Sequence, residues 1–395
     1  MAASSIDARQ HSPLYTNEII IFVPSNSYSR KVKIDNHNKL HLKDVKAIGI
    51  LKIKGHSPSL PLIQGGMAVG ISLDRLSAAV ANAGGIGVIG TAGIGMTVEG
   101  FASNFRQASI EGLINVIRKA REKSKGILGV NIMVALTNYR DMVVTALKEK
   151  IDLIISGAGL PLDLPSYLKP DSSTAVVPIV SSLKSARVIF RRWFGKFGYV
   201  PDAFIVEGPK AGGHLGYGIE DLDSEESSLE KTVPEIREFS DFIAKEYGRE
   251  VPIIAAGGIF DREDVQKMFR LGATGVQVGT AFIATQECDA DIRFKQALID
   301  AKKEDITIIK SPVGMPGRAI RNAFVRDVEA GNKKPFTCVY HCIRTCNFRE
   351  APYCIAEALM NACRGDLQNG FAFTGSEGYR IEEISTVKEV IERLF

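Results

Sequence analysis

A chain of 395 residues is too long for one minimal domain, yet fits one large barrel or two ordinary domains. Its 45% hydrophobic, 24% charged and 8% aromatic residues make a globular composition, which excludes disordered, collagenous and disulfide-dense classes. The balance of 49 basic against 45 acidic residues, +4 overall, is too mild and too evenly spread to specify nucleic-acid binding.

Residues 1–60 read as a β-rich N-terminal extension. Short β-type runs stand at Ile19–Val23, Lys31–Ile34 and Lys39–Leu42, and Asp35-Asn36-His37-Asn38 between the last two is hairpin chemistry. Met1–Gln10 lacks the basic start and apolar core of a signal segment. The long weakly polar stretch Leu76–Val98 is better explained as a helix followed by a buried strand than as a membrane span. Six cysteines, five of them between Cys338 and Cys363, do not make a secreted disulfide framework, so a soluble, reducing, cytoplasmic setting is expected.

From Pro61 the pattern becomes apolar strand, small-residue turn and amphipathic stretch. Eight candidate strands follow: Leu62–Gly65, Gly85–Ile89, Ile127–Met133, Leu153–Ser156, Val177–Ser181, Ala203–Glu207, Ile253–Ala256 and Val276–Gly279. They are apolar nearly throughout, as strands buried on both faces of a parallel sheet are. Helices are predicted at Leu73–Ala83, Glu111–Lys123, Tyr139–Glu149, Ser185–Phe197, Pro234–Tyr247 and Arg262–Leu271, with Glu220–Glu230 an exposed acidic loop. Eight such units predict an α/β fold, a (β/α)8 TIM barrel over 61–283. A mostly helical added region, 284–375, would cover its mouth, and 376–395 would end in a closing helix, Val387–Phe395.

Glycine is in excess, 37 residues or about 9% of the chain against roughly 7% in average usage, and it gathers at strand ends. The seventh and eighth strands finish as Ala255-Ala256-Gly257-Gly258 and Gln277-Val278-Gly279-Thr280, where bare N–H groups and the Thr280 hydroxyl can surround a phosphate. Gly85-Ile86-Gly87-Val88-Ile89-Gly90 matches the dinucleotide fingerprint in letters only. It supplies a strand instead of following one, so barrel packing is the plainer reading. His214 stands directly beyond the sixth strand, in Glu207-Gly208-Pro209-Lys210-Ala211-Gly212-Gly213-His214, where an imidazole can act as general base or proton donor. Glu207 would orient that loop or pair with a cation. Gln64-Gly65-Gly66-Met67 and Ser156-Gly157-Ala158-Gly159 leave room for a flat ligand, and Asn131 offers both a donor and an acceptor to a ring edge. Ser181 and Ser182 would bind a cofactor tail or cap the next helix.

Ile63-Gln64-Gly65-Gly66-Met67, Gly129-Val130-Asn131-Ile132-Met133, Glu207-Gly208-Pro209 with Ala211-Gly212-Gly213-His214-Leu215-Gly216, Ala255-Ala256-Gly257-Gly258-Ile259, Gln277-Val278-Gly279-Thr280-Ala281-Phe282 and Ser311-Pro312-Val313-Gly314-Met315-Pro316-Gly317-Arg318-Ala319-Ile320-Arg321-Asn322 resemble the nitronate monooxygenase family, formerly called 2-nitropropane dioxygenases, over roughly Pro61 to Phe324. The resemblance implies a TIM barrel binding FMN non-covalently, with His214 catalytic and the phosphate at Gly257, Gly258, Gly279 and Thr280. Further cofactor contacts would come from Gly65, Gly66, Met67, Asn131, Ser181, Glu207, Gly212, Gly213 and Gln277. The implied reaction is oxidation of an alkyl nitronate by FMN and dioxygen to a carbonyl compound and nitrite. FMN-dependent enoyl-acyl carrier protein reductases share the scaffold and the histidine block, so NAD(P)H-dependent reduction of an enoyl thioester or a quinone is the alternative. An FMN-binding partner protein of a larger synthase is a third class. The expected partners are a small-molecule substrate with O2 or NAD(P)H, without nucleic acid or membrane; a homodimer is left open.

The first sixty residues have no counterpart in compact members, and the Cys338–Cys363 segment is similar to only a subset of relatives. Cys338, Cys342 and Cys346, four apart, would lie along one helix face as thiols packing the added region, with Cys354 and Cys363 following. A metal or cluster, and redox sensing, are the other readings, although a straight helix holding the three thiols in a row is a weak metal signal. No metal ligand is therefore assigned.

Overall fold

The computed structural model describes residues 51–395, so the β runs expected between 19 and 42 lie outside the described residues. Eight parallel strands close a barrel in chain order: β1 (Leu62–Gln64), β2 (Ile86–Gly90), β3 (Ile127–Met133), β4 (Leu153–Gly157), β5 (Ala175–Val180), β6 (Phe204–Glu207), β7 (Ile253–Ala256) and β8 (Gly275–Val278). Closure is made by β8 on β1, with Ile63 opposite Gln277. Ile63, Val88, Ile155, Val177, Ile205 and Ile254 belong to one interior cluster, each side chain contributing roughly 1.5–3 kcal/mol by leaving water.

Leu51 and Ile53, from the stretch before the first strand, pack into that cluster. Beside them Lys54 Nζ donates to Thr174 O at 3.0 Å and to Tyr199 OH at 2.9 Å. Tyr199 in turn donates to Asp202 at 2.6 Å. This buried polar group sits at the N-terminal ends of the strands, the end where a barrel places stability and not chemistry.

Helices α1 (Asp74–Asn82), α2 (Phe105–Lys123), α3 (Tyr139–Lys148), α4 (Leu183–Phe197), α5 (Leu229–Tyr247) and α6 (Arg262–Arg270) surround the barrel. The fourth connection carries only a short turn, Leu164–Tyr167. Two helices begin earlier than their patterns suggest. α2 starts at Phe105 because the Asn104 side chain accepts from Gln107 N and the first turn already buries Phe105 and Ala108. α5 runs through Pro234 because Leu229, Thr232 and Val233 extend its buried face, and a missing N–H in the second turn frees one carbonyl near the helix start. The fingerprint-like glycines are packing residues: a Cβ on Gly87 would lie 1.8 Å from Ser77 O.

Beyond the barrel come α7 (Thr280–Ile283), α8 (Ile292–Ile299), the antiparallel pair β9 (Ile306–Lys310) and β10 (Pro316–Ile320), α9 (Ala323–Glu329), α10 (Ile355–Cys363) and the closing helix α11 (Val387–Leu394). Asp289 ties this part to the barrel by accepting from Leu73 N, Arg75 N and Leu76 N, capping α1 from outside its own sequence. The region 284–375 is less helical than expected, because β9 and β10 are stitched into the mouth of the barrel. The helix face expected for Cys338, Cys342 and Cys346 is also absent, since residues 332–354 contain no helix. Thr137 N donates to Cys342 O and Arg344 N to Ala135 O, both at 3.0 Å, so the segment bonds to the barrel loop and not to itself. His341, at φ +42°, lies outside helical backbone altogether.

Candidate active site

A cavity of about 490 Å³ opens at the C-terminal ends of the strands, within the roughly 300–1,000 Å³ of small-molecule sites. Gly65, Gly66, Met67, Asn131, Ser181, Glu207, Gly212, Gly213, His214, Gly257, Gly258, Gln277, Gly279 and Thr280, all singled out from sequence, line it together.

His214 does not hang from a free loop. With Gly213 it forms a two-residue strand on β10, His214 opposite Gly317 and Gly213 opposite Arg318. Nε2 lies 2.7 Å from Ser311 Oγ, and the ring meets Phe373 edge-on at 5.1 Å between centroids. Burial lowers its pKa to about 4, so the imidazole is neutral at physiological pH. The loop before it is clamped by Arg318, whose Nη1 donates to Pro209 O and Ala211 O at 2.6 Å each. At Gly212 any Cβ would fall 2.6 Å from Gly375 N, so the loop and the 373–377 segment touch backbone to backbone.

Glu207, at the end of β6, faces the same space, and burial alone raises its carboxyl to about 7. Tyr217 OH donates to the Glu207 carbonyl and, at 3.2 Å, to Ser181 O, fixing the two strand ends together. Ser181 Oγ donates to Gly216 O, and the helix cap expected of one of the two serines is made by Ser182 with Ser185 on α4.

Three observations describe what the cavity can receive. The Gln277 Oε1 atom is buried and has no hydrogen-bond partner, an acceptor that costs about 1–3 kcal/mol unless a ligand donates to it. Gly257 and Gly258 take φ of +96° and +78°, backbone that glycine alone adopts readily, at the strand end lining the cavity. Thr280 Oγ1 accepts from Gly375 N at 2.9 Å, which leaves its own hydrogen free for a ligand. The opposite wall is apolar, formed by Val313, Met315, Ile343, Ile355 and Leu359.

Ser311, Arg318, Phe373 and Gly375 were not singled out as site residues. Ser311 and Arg318 stood inside a recognised motif, but their distance from His214 along the chain hid their roles. Phe373 arrives beside His214 through Ile320 N to Ala372 O and Thr374 N to Arg318 O, pairings without a local signal.

This fold and this site define a TIM-barrel enzyme, an FMN-type oxidoreductase. The chain belongs to the nitronate monooxygenase family, whose model matches residues 51–395. The probable nitronate monooxygenase of Staphylococcus aureus (strain JH9) is 28% identical over 305 residues, 68% of this chain and 77% of that protein. FabK from Thermotoga maritima is also 28% identical, with a TM-score of 0.64 over 89% of this chain and 94% of that one. The nitroalkane oxidase of Streptomyces ansochromogenes, at 22% identity and a TM-score of 0.65 over 85% and 95%, is similar in fold. Among the described residues no helix is long and apolar enough to cross a membrane.

Proposed function

We propose that the protein binds FMN and oxidises alkyl nitronates with dioxygen to a carbonyl compound and nitrite. The observation that carries this reading is the placement of His214 at the cavity lining, its Nε2 2.7 Å from Ser311 Oγ, where burial favours the neutral imidazole. A neutral imidazole accepts a proton or shares a hydrogen bond; it does not act as an acid at pH 7. That suits a substrate whose α-proton is acidic and whose reactive form is an anion.

Gly257, Gly258, Gly279 and Thr280 would hold the phosphate, and Gly65, Gly66, Met67, Gly212 and Gly213 would leave clearance for the ring. Gln277 Oε1, unpartnered in the protein, would accept from a ring N–H, with Asn131 and Glu207 facing the remaining polar edges. When bound, FMN supplies the redox chemistry. His214 would receive the nitro group or take the α-proton of a neutral nitroalkane, with Ser311 Oγ holding the ring in place. The apolar wall at Ile343, Ile355 and Leu359 would exclude water and take the alkyl group.

A second reading has its own support. Glu207, titrating at about 7, can donate a proton, as an NAD(P)H-dependent reductase of an enoyl thioester or quinone requires, and the likeness to FabK is as high as that to the probable nitronate monooxygenase. Anaerobic mixing separates the two. Rapid flavin bleaching by a nitronate, without bleaching by NADH or NADPH, is expected; the reverse would establish the reductase.

A further inference from the structure

Two neighbouring barrel helices leave three aromatic rings in water. Phe194 on α4 and Phe242 and Tyr247 on α5 are 39%, 49% and 38% exposed. The rings are contiguous: Tyr247 meets Phe194 edge-on at 4.6 Å between centroids and Phe242 at 6.3 Å. They rest on buried rings, Phe194 stacked on Phe190 at 5.6 Å and Phe242 stacked on Phe239 at 6.3 Å. A strip of rings held in this way is already ordered, so covering it costs little side-chain entropy and removes apolar surface from water. Joined apolar surface of this kind marks a contact face, whereas scattered single residues do not.

Charge divides along the strip. α4 carries Lys184, Arg187, Arg191, Arg192 and Lys196 and no acidic residue. Asp163 pairs with Arg192 and Lys196; among the described residues Lys184, Arg187 and Arg191 meet no carboxylate. Arg187 instead lies over the Phe239 ring, 5.8 Å from its centroid, at the edge of the strip. On α5, Glu230 pairs with Lys267, Glu235 with Lys231 and Asp241 with Arg237. That leaves Glu238 and Glu246 exposed without a cation among the described residues, against a single unpaired cation on that helix, Lys245.

Bands of opposite sign on either side of an apolar strip make a surface that complements itself, as a two-fold interface requires. A two-fold axis along the strip lays the α4 flank of one copy on the α5 flank of the other and rings on rings. An axis across the strip would oppose like charges. A partner of uniform charge fits less well, because an acidic protein or an anionic membrane would face Glu238 and Glu246. We propose that this face joins two copies of this chain in a two-fold dimer, with Phe194, Phe242 and Tyr247 at its centre and Arg187 and Arg191 opposite Glu238 and Glu246 of the second copy. None of these seven side chains lines the cavity, so the dimer is independent of the flavin reading.

Sedimentation velocity of the full-length protein is the test. The wild type should be dimeric at micromolar concentration in low salt, and its dissociation constant should rise with salt as the flank pairs are screened. Phe242→Asp should weaken the dimer at least about tenfold. Arg187→Glu with Arg191→Glu, and separately Glu238→Arg with Glu246→Arg, should each give monomers, and an equimolar mixture of the two reversed proteins should dimerise again. All four charged positions are exposed, and circular dichroism checks that the variants keep their fold. A wild type that stays monomeric up to about 100 μM, a dimer that survives either reversal, or a mixture that stays monomeric overturns the proposal. A second measurement needs no variant. Amide exchange of wild-type protein in 187–197 and 238–247 should be slower at concentrations that favour the dimer than after dilution, with the other barrel helices unchanged; equal exchange overturns the proposal.

Discussion

His214 and Glu207 are perturbed in opposite directions in one cavity, and that opposition can be measured as stability. The imidazole falls from 6.5 to about 4 and the carboxyl rises from 4.5 to about 7, each shift worth about 3 kcal/mol between its limits. For His214 the unfolded chain binds the extra proton between pH 4 and 6.5, so its contribution to stability rises with pH. For Glu207 the folded chain binds the extra proton between pH 4.5 and 7, so its contribution falls as pH rises. Between pH 5 and 6.5 each changes by about 1.5 kcal/mol and the two nearly cancel. Relative to wild type, Glu207→Gln should therefore gain about 1.5 kcal/mol of stability from pH 5 to 6.5, and His214→Gln should lose about as much. Urea unfolding of flavin-free protein at the two pH values measures both slopes, and the double variant should return to the wild-type slope. Parallel slopes for all four proteins, within about 0.5 kcal/mol, would show that the cavity does not desolvate these groups as described.

His214→Asn should lower turnover of a nitronate by about 10²–10⁴ while flavin content stays at the wild-type level; turnover that falls only in proportion to lost flavin would assign the histidine to binding. Gly212→Ala would place a methyl 2.6 Å from Gly375 N, costing about 1–3 kcal/mol, and should lower the ratio of bound flavin to protein, a wild-type ratio being the contrary result. Arg318→Met leaves the carbonyls of Pro209 and Ala211 without their donor and should lower the urea midpoint by about 3 kcal/mol equivalents at constant slope; an unshifted midpoint would mean that the clamp carries no stability.

The legibility of the fold followed the distance over which each feature is determined. The barrel strands were readable because both their faces are buried, so that a run such as Leu153-Ile154-Ile155 is apolar without alternation. The lining of the cavity was readable because each barrel strand ends in its own short block, Gly65-Gly66 after β1, Glu207 at the end of β6, Gly257-Gly258 after β7. Failures came where a local period was overruled from afar. The four-residue spacing of Cys338, Cys342 and Cys346 mimics a helix, but hydrogen bonds to Ala135 and Thr137 hold the segment as a loop. Pro234 imitates a helix start, yet the buried face of α5 extends a turn and a half earlier.

The same distinction separates cofactor from reaction. The cradle proposed for FMN is built from strand ends, which short glycine motifs encode and which barrels of different chemistry can share. His214 is held neutral by burial, and the residues packed on it, Ser311, Phe373 and the β10 edge that Gly213 and His214 pair with, all come from after the barrel. An imidazole in the same Ala-Gly-Gly-His block, left open to water, would titrate near neutrality and could serve as an acid. Covered as it is here, it is held neutral. The histidine motif therefore specifies where the group stands, and the post-barrel segment specifies what it can do with a proton. A likeness confined to the motif is for that reason compatible with oxidase and reductase alike, and the pH dependence of stability tests the very property that distinguishes them.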